Sequence, residues 1–302
     1  MNMTNTEITK NEKAINILRF LGLREVFADL RTIDYALIKG ETTSIYAFGQ
    51  TNKRYYNDID LLVKKKELFK IEKVLLKNGF VKTTSNRQKE LFFNLFSHQT
   101  VPYEMTYKGI HILMDLNYDI FWGENKVYNS YQYVNDFLSD VIDMEIYGVN
   151  VKVLAPKKAF MQLCLHCYKD INSIYLIYSR RHINVNALYE IYYILTNPNN
   201  GLSVESVAKL GDKYMISKYI YVVLSYIYEL TKDSMIQPYI NSLRNEEGQE
   251  LLNAYGLNKH KKWKIGIGER ITCSDLYDTI LPDLSEEELS NIIINDEAFS
   301  AD

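Results

Sequence analysis

The run Asp58-Ile-Asp-Leu-Leu-Val63 places two carboxylates at the head of an otherwise apolar strand. Side chains at i and i+2 of a strand share a face and sit roughly 7 Å apart, so Asp58 and Asp60 point to one side. That arrangement suits a hard cation: Mg²⁺ takes a few carboxylate oxygens together with waters and substrate phosphates. A solvated strand end is the competing reading, since Asp-x-Asp is common by itself.

Lys39-Gly40 precedes this strand by seventeen residues. The apolar run Tyr35-Ala-Leu-Ile-Lys39 predicts a strand, and Glu41 to Phe48 predicts a helix that starts directly after Gly40. A strand handing over to a helix there would expose helix-start amides to an anion, and Lys39 would add a point charge for phosphate. Otherwise Gly40 makes a tight turn and Lys39 is a solvated strand end. A third carboxylate, Asp115, lies in Ile112-Leu-Met-Asp-Leu-Asn117, where a charge among apolar residues is costly unless it is paired or bound to metal. An ion pair would satisfy it. Three carboxylates on neighbouring strands are also what a two-metal phosphoryl-transfer site needs, with ions ~4 Å apart.

The rest of the chain frames these residues. Residues 12–31 predict an amphipathic helix with Ala14, Ile17, Leu18 and Leu21 as its apolar stripe, Asn16 and Arg19 off it, and Gly22 as a point where it divides in two. A helix is expected over 65–78, stopping at Gly79. Strands are expected at Val81 to Thr84, Leu91 to Phe93, Tyr103 to Tyr107 and Ile110 to Leu116, the last two joined by a Lys108-Gly109 turn. Met144 to Tyr147 and Val151 to Leu154 form a further pair. From Pro156 onward the pattern turns helical, over 157–170, 185–195, 203–210, 220–230 and a Ser285 capping start. The domain boundary therefore falls near residue 155, giving domains 1–155 and 156–302.

Composition excludes several classes. Thirty-five Lys and Arg against 38 Asp and Glu leave a charge of −3, so no global basic field grips nucleic acid. The apolar runs are too short to span a membrane, and the opening MNMTNTEITKNEK has no signal-like apolar core. Three cysteines make no disulfide framework and point to a reducing compartment. These features predict a soluble cytoplasmic protein with no membrane partner.

Taken together, Ala36-Leu-Ile-Lys-Gly40, Tyr46, Arg54, Asp58-Ile-Asp-Leu-Leu-Val63 and a helix ending Asn78-Gly-Phe80 resemble the uncharacterised nucleotidyltransferase family of the DNA-polymerase-β-like superfamily. Ile112-Leu-Met-Asp-Leu-Asn-Tyr118 is similar to its later carboxylate-bearing strand. Val153-Leu-Ala-Pro156 with Leu163-Cys-Leu-His-Cys-Tyr-Lys169 is similar to its first C-terminal helix. The likeness covers about residues 33 to 170.

The resemblance implies an α+β fold: a polymerase-β-like mixed sheet flanked by helices, with a helical C-terminal domain and the acceptor between the two. It implies transfer of a nucleoside monophosphate from an NTP, ATP among them, to an acceptor, with release of pyrophosphate. Two Mg²⁺ ions, or Mn²⁺, would be held by Asp58, Asp60 and Asp115, and Lys39, Gly40 and Arg54 would face phosphates. His166 and Lys169, one helical turn apart, would reach phosphate or acceptor, or else form a helix-surface pair. The chain departs from the family at Glu41, where many relatives carry a small residue, and at Asn117-Tyr118, where relatives often show His-Trp.

The acceptor stays open among a small molecule, a peptide, a protein and tRNA, the last two in a toxin-like role. A noncatalytic nucleotide-binding or scaffold protein is the alternative from another class. An RNA-binding module is a third, using eleven tyrosines between Tyr168 and Tyr228 with Arg180-Arg-His182 and Lys259-His-Lys-Lys262. Tyrosines lining helix interfaces and basic residues in solvated loops are the plainer readings. Lys64 to Lys66 would attract triphosphate or simply solubilise a helix start. Cys164-Leu-His-Cys167 lacks a second cysteine pair and reads as helix core rather than zinc site.

Overall fold

The computed structural model describes residues 8–84, 86–122 and 130–299. The opening residues 1–7, part of the segment read for a signal, lie outside them. The protein is α+β: a mixed seven-stranded sheet with helices, followed by a largely helical C-terminal region. The chain divides into two compact units, residues 1–159 and 160–302.

The first unit opens with α1 (Lys10–Gly22) and α2 (Arg24–Asp29). Thr9 and Glu12 form a reciprocal capping box that satisfies the first free amides of α1. The two helices meet at Leu23, and the glycine just before it is there for packing: a Cβ at Gly22 would lie 2.8 Å from the Tyr107 ring and 2.9 Å from Ile112. The buried face of α1 is not the expected one. Asn16, Arg19, Phe20 and, just beyond the helix, Leu23 are inside, whereas Ala14 is exposed and Ile17, Leu18 and Leu21 are half-buried. Asn16 and Arg19 go inside because backbone carbonyls of residues 54–56 accept their hydrogen bonds there, so the cost of burying polar groups is met.

Next come β1 (Tyr35–Ile38), α3 (Glu41–Phe48), β2 (Asp58–Val63) and α4 (Leu68–Lys77), the last preceded by a 3-10 turn over Lys65–Glu67. They are followed by β3 (Val81–Lys82), α5 (Arg87–Phe96), β4 (Tyr103–Tyr107) and β5 (Ile110–Asn117). Leu91 to Phe93 therefore belongs to a helix and not to a strand. Three apolar residues do not distinguish the two periods, and the deciding signal is Asn86, whose side chain accepts from the Gln88 amide at 2.9 Å as a helix start requires. Lys108 and Gly109, both at positive φ, close the β4–β5 hairpin. After α6 (Ser130–Phe137), β6 (Ile142–Ile146) and β7 (Val149–Val153) form a second hairpin, turning at Tyr147-Gly148.

The sheet order is β3-β4-β5-β2-β1-β7-β6. β2 pairs parallel with β5 and antiparallel with β1, and β1 pairs parallel with β7. The central strands β1 and β2 are buried almost throughout, as their continuous apolar runs demand.

Helix α7 (Pro156–Asn172) leads into the second unit, which continues through α8 (Ile174–Tyr178), α9 (Val185–Thr196), α10 (Val204–Lys213) and α11 (Ser217–Thr231). α12 (Gln237–Leu243) and α13 (Glu246–Leu252) precede a two-residue ladder of β8 (Ala254–Tyr255) with β9 (Lys261–Lys262). The described chain ends with α14 (Ile267–Thr272), α15 (Leu276–Ile280) and α16 (Glu286–Phe299). α11 is buried from Tyr219 to Ile227. Tyr168, Tyr214, Tyr219, Tyr221 and Tyr226 are inside this unit, with the Tyr168 and Tyr219 rings 4.6 Å apart, so these tyrosines are packing groups. Cys164 and Cys167 are buried on α7. Among the described residues no helix is long and apolar enough to cross a membrane.

Candidate active site

The pleat of β2 puts Asp58 and Asp60 on one face, and the parallel register sets Asp60 directly opposite Asp115 on β5. Asn117, two residues beyond Asp115, shares that face, and its amide donates to Asp60 Oδ1 at 3.1 Å. Asp60, Asp115 and Asn117 are all buried, and Asp58 at the strand head is partly so.

Lys39 leaves the end of β1 at φ 66°, a left-handed conformation uncommon outside glycine, and Gly40 follows at φ 57° and ψ −125°. This double turn brings Lys39 Nζ to 3.2 Å from Asp60 Oδ1. It also starts α3 with no side-chain cap. Ser44 N–H bonds the Gly40 carbonyl, and the Glu41, Thr42 and Thr43 amides ahead of it belong to the first turn, where a helix offers them no acceptor. The hydroxyls of Thr42, Thr43 and Ser44 are buried without a hydrogen-bond partner.

The segment between α3 and β2 carries Arg54. It is fastened from behind by α1: Asn16 donates to the Arg54 carbonyl at 2.9 Å and to Asn52 Oδ1 at 3.3 Å. Arg19 donates to the Tyr56 carbonyl and to the Tyr55 hydroxyl, and its guanidinium lies over both rings. Glu41, beside Gly40, turns into the interior and accepts from Tyr147 Oη at 2.6 Å, the Asn52 amide at 2.8 Å and Tyr56 Oη at 3.3 Å. Burial holds the Glu41 carboxyl above its ordinary range, against those hydrogen bonds and the Arg54 charge.

Burial is also the largest influence on Asp58, and the neighbouring Asp60 carboxylate raises it further, while Lys39 and Arg54 pull the other way. A half-enclosed like-charge pair whose nearest cations only partly offset it is a donor set that fits a divalent ion. Among the described residues no three His, Cys, Asp or Glu side chains converge on a common metal centre, so the three carboxylates share a face without closing on one point.

Lys39, Gly40, Arg54, Asp58, Asp60 and Asp115 thus all belong to the first unit, on elements joined through β1, β2 and β5. His166 and Lys169 lie on α7 in the second unit, where both pair with Asp170, at 3.2 and 3.3 Å. Several basic residues of that unit are matched by acids: Arg180 with Asp275, Lys259 with Glu287 and Lys264 with Asp283, each at 2.7 Å. Sequence reasoning gave no site role to Asn117, Asn16, Arg19, Tyr56 or Tyr147. The same i, i+2 spacing that paired Asp58 with Asp60 was available for Asn117, whereas nothing local marks the other four.

The family model for an uncharacterised nucleotidyltransferase matches residues 6–232, three quarters of the chain, and spans Lys39, Gly40, Arg54, Asp58, Asp60, Asp115, His166 and Lys169. The chain belongs to this family. The nucleotidyltransferase family match ends just after α11, so α12 to α16 lie outside it. The crystal structure of an antigenic nucleotidyltransferase-like protein from Paracoccidioides brasiliensis aligns with 78% of this chain and 94% of its own, at 14% identity and a TM-score of 0.34. No curated protein matches the chain.

Proposed function

We propose that this nucleotidyltransferase-family protein moves a nucleoside monophosphate from an NTP to an acceptor nucleophile. The acceptor attacks the α-phosphorus, the bond from that phosphorus to the β-phosphate oxygen breaks, and pyrophosphate leaves with its electron pair. The acceptor's proton passes to a nearby carboxylate or to water. Bound Mg²⁺ would neutralise charge on the phosphates and lower the acceptor's pKa.

The residues then have distinct tasks. Asp58 and Asp60 would hold the ion carried by the triphosphate, and Asp115 would help hold the ion beside the acceptor. Lys39 and the open amides of α3 would take phosphate oxygens, and Arg54 would add charge from the loop. Asn117 restrains one Asp60 oxygen, which leaves the other to face a ligand. Little covalent work is asked of the protein, so positioning and charge neutralisation account for the catalysis.

The observation that carries this reading is the alignment of Asp58, Asp60 and Asp115 on one face beside an uncapped helix start. The test is titration of the four NTPs, with and without Mg²⁺, into wild type and an Asp58→Asn, Asp60→Asn double variant. Metal-dependent binding that the variant loses is the expected result. Absence of binding to wild type counts against a nucleotide site here, and binding without turnover on any acceptor favours a noncatalytic nucleotide-binding protein.

A further inference from the structure

We infer that Glu41 is a positioning residue: its carboxylate, clamped by Tyr147 and Tyr56, holds the Lys39-Gly40 turn in the shape that receives the nucleotide's phosphates. The inference rests on the nucleotide-binding reading of this site and extends it to residues that touch no reacting atom.

The turn needs such a device. Lys39 and Gly40 are consecutive residues at positive φ, and for a lysine that backbone persists only where surrounding contacts impose it. Glu41 is the next residue, and its side chain is almost wholly enclosed. A carboxylate projecting forward from the first turn of α3 would repel phosphate. Here it is drawn backward into three donors from two other segments: Tyr147 at 2.6 Å from the β6–β7 hairpin, and the Asn52 amide at 2.8 Å and Tyr56 at 3.3 Å from the loop that carries Arg54.

The donors are themselves anchored on α1. The Tyr147 ring packs edge-on against Phe20 with centroids 5.6 Å apart, and Tyr56 is held at its carbonyl by Arg19, whose guanidinium also lies over its ring. Asn16 fixes Asn52 and Arg54 on the same helix. A closed frame therefore runs from α1 through Tyr147 to Glu41 and back through Tyr56 to α1. Both phosphate-facing segments, the Lys39-Gly40 turn and the Arg54 loop, hang from it. Charge-assisted hydrogen bonds of this kind are the strong, directional ones, suited to fixing a backbone shape.

The experiment measures Mg²⁺-dependent NTP affinity and melting temperature together for wild type, Tyr147→Phe, Glu41→Ala, Glu41→Gln and Leu75→Ala. Leu75 is a core residue of α4 with no part in the frame, so its variant reports what simple destabilisation does to affinity. Glu41→Ala and Tyr147→Phe are expected to weaken NTP binding about tenfold, while Glu41→Gln, which keeps an acceptor oxygen, recovers most of the loss and Leu75→Ala binds as wild type does. Wild-type affinity in both Glu41→Ala and Tyr147→Phe, or an equal loss in Leu75→Ala, overturns the inference and leaves the proposed function standing. A wild type that binds no NTP overturns both.

Discussion

Lys39 Nζ and Asp60 Oδ1 stand 3.2 Å apart, joining the Lys39-Gly40 turn to the second carboxylate of β2. Each side chain is mostly enclosed, so the contact acts in a poorly screened setting. Without a ligand the ammonium offsets part of the carboxylate charge. On the proposed reading, the same ammonium would take phosphate oxygens of a metal-bound triphosphate. Replacing Lys39 by Gln should weaken NTP binding at least tenfold, since a charged hydrogen bond to phosphate is lost. Titration calorimetry reads the change, and undiminished affinity would remove Lys39 from the site.

At Asp58 stability and the proposed function would pull in opposite directions. Its carboxylate is half-buried beside another, so Asp58→Asn should stabilise the ligand-free protein by about 1 kcal/mol while abolishing metal-dependent nucleotide binding. Thermal melts without Mg²⁺ provide the check. A lowered melting temperature would mean that Lys39 and Arg54 already compensate the charge.

The pH dependence of stability should carry a signature of Glu41. Its folded-state pKa is raised, so its contribution is complete below the ordinary glutamate range near 4.5 and is lost as the pH climbs through the higher folded value. The groups facing it are the Tyr147 and Tyr56 hydroxyls, the Asn52 amide and the Arg54 charge. The Glu41→Gln protein should therefore gain melting temperature relative to wild type between pH 4 and pH 8. A constant difference across that range would contradict the buried, raised carboxyl.

Gly22→Ala ought to destabilise even though alanine is the better helix former. The added methyl would stand 2.8 Å from the Tyr107 ring, and overpacking of this kind costs about 1–3 kcal/mol. Urea unfolding measures it, and a stabilised variant would show that the β4–β5 hairpin yields at this point.

Much of this fold can be read from local pattern, and the exceptions share a cause. β1, β2 and the two hairpins follow from apolar runs punctuated by glycine, and Asp58 with Asp60 follows from the period of a strand. The alignment of Asp115 with Asp60 does not, because it depends on pairing between strands far apart in the chain, which only the assembled sheet fixes. The α1 face was misjudged for a related reason. A helix that turns an amide and a guanidinium inward has the hydrophobicity pattern of one turned the other way, and only the carbonyls of residues 54–56 make that burial tolerable. Leu91 to Phe93 shows the ordinary limit of a short apolar run, where the cap at Asn86 carried more information than the run itself.

The parallel pairing of β2 with β5 makes the site an address as well as a set of side chains. One residue inserted or deleted in β5 ahead of Asp115 would leave the backbone ladder intact yet turn Asp115 and Asn117 to the opposite side of the sheet, into the space now filled by Met114 and Leu116. The apolar residues between the carboxylates therefore act as register marks: by insisting on their own burial, Ile59, Leu61, Met114 and Leu116 dictate where every charge on the other face must stand.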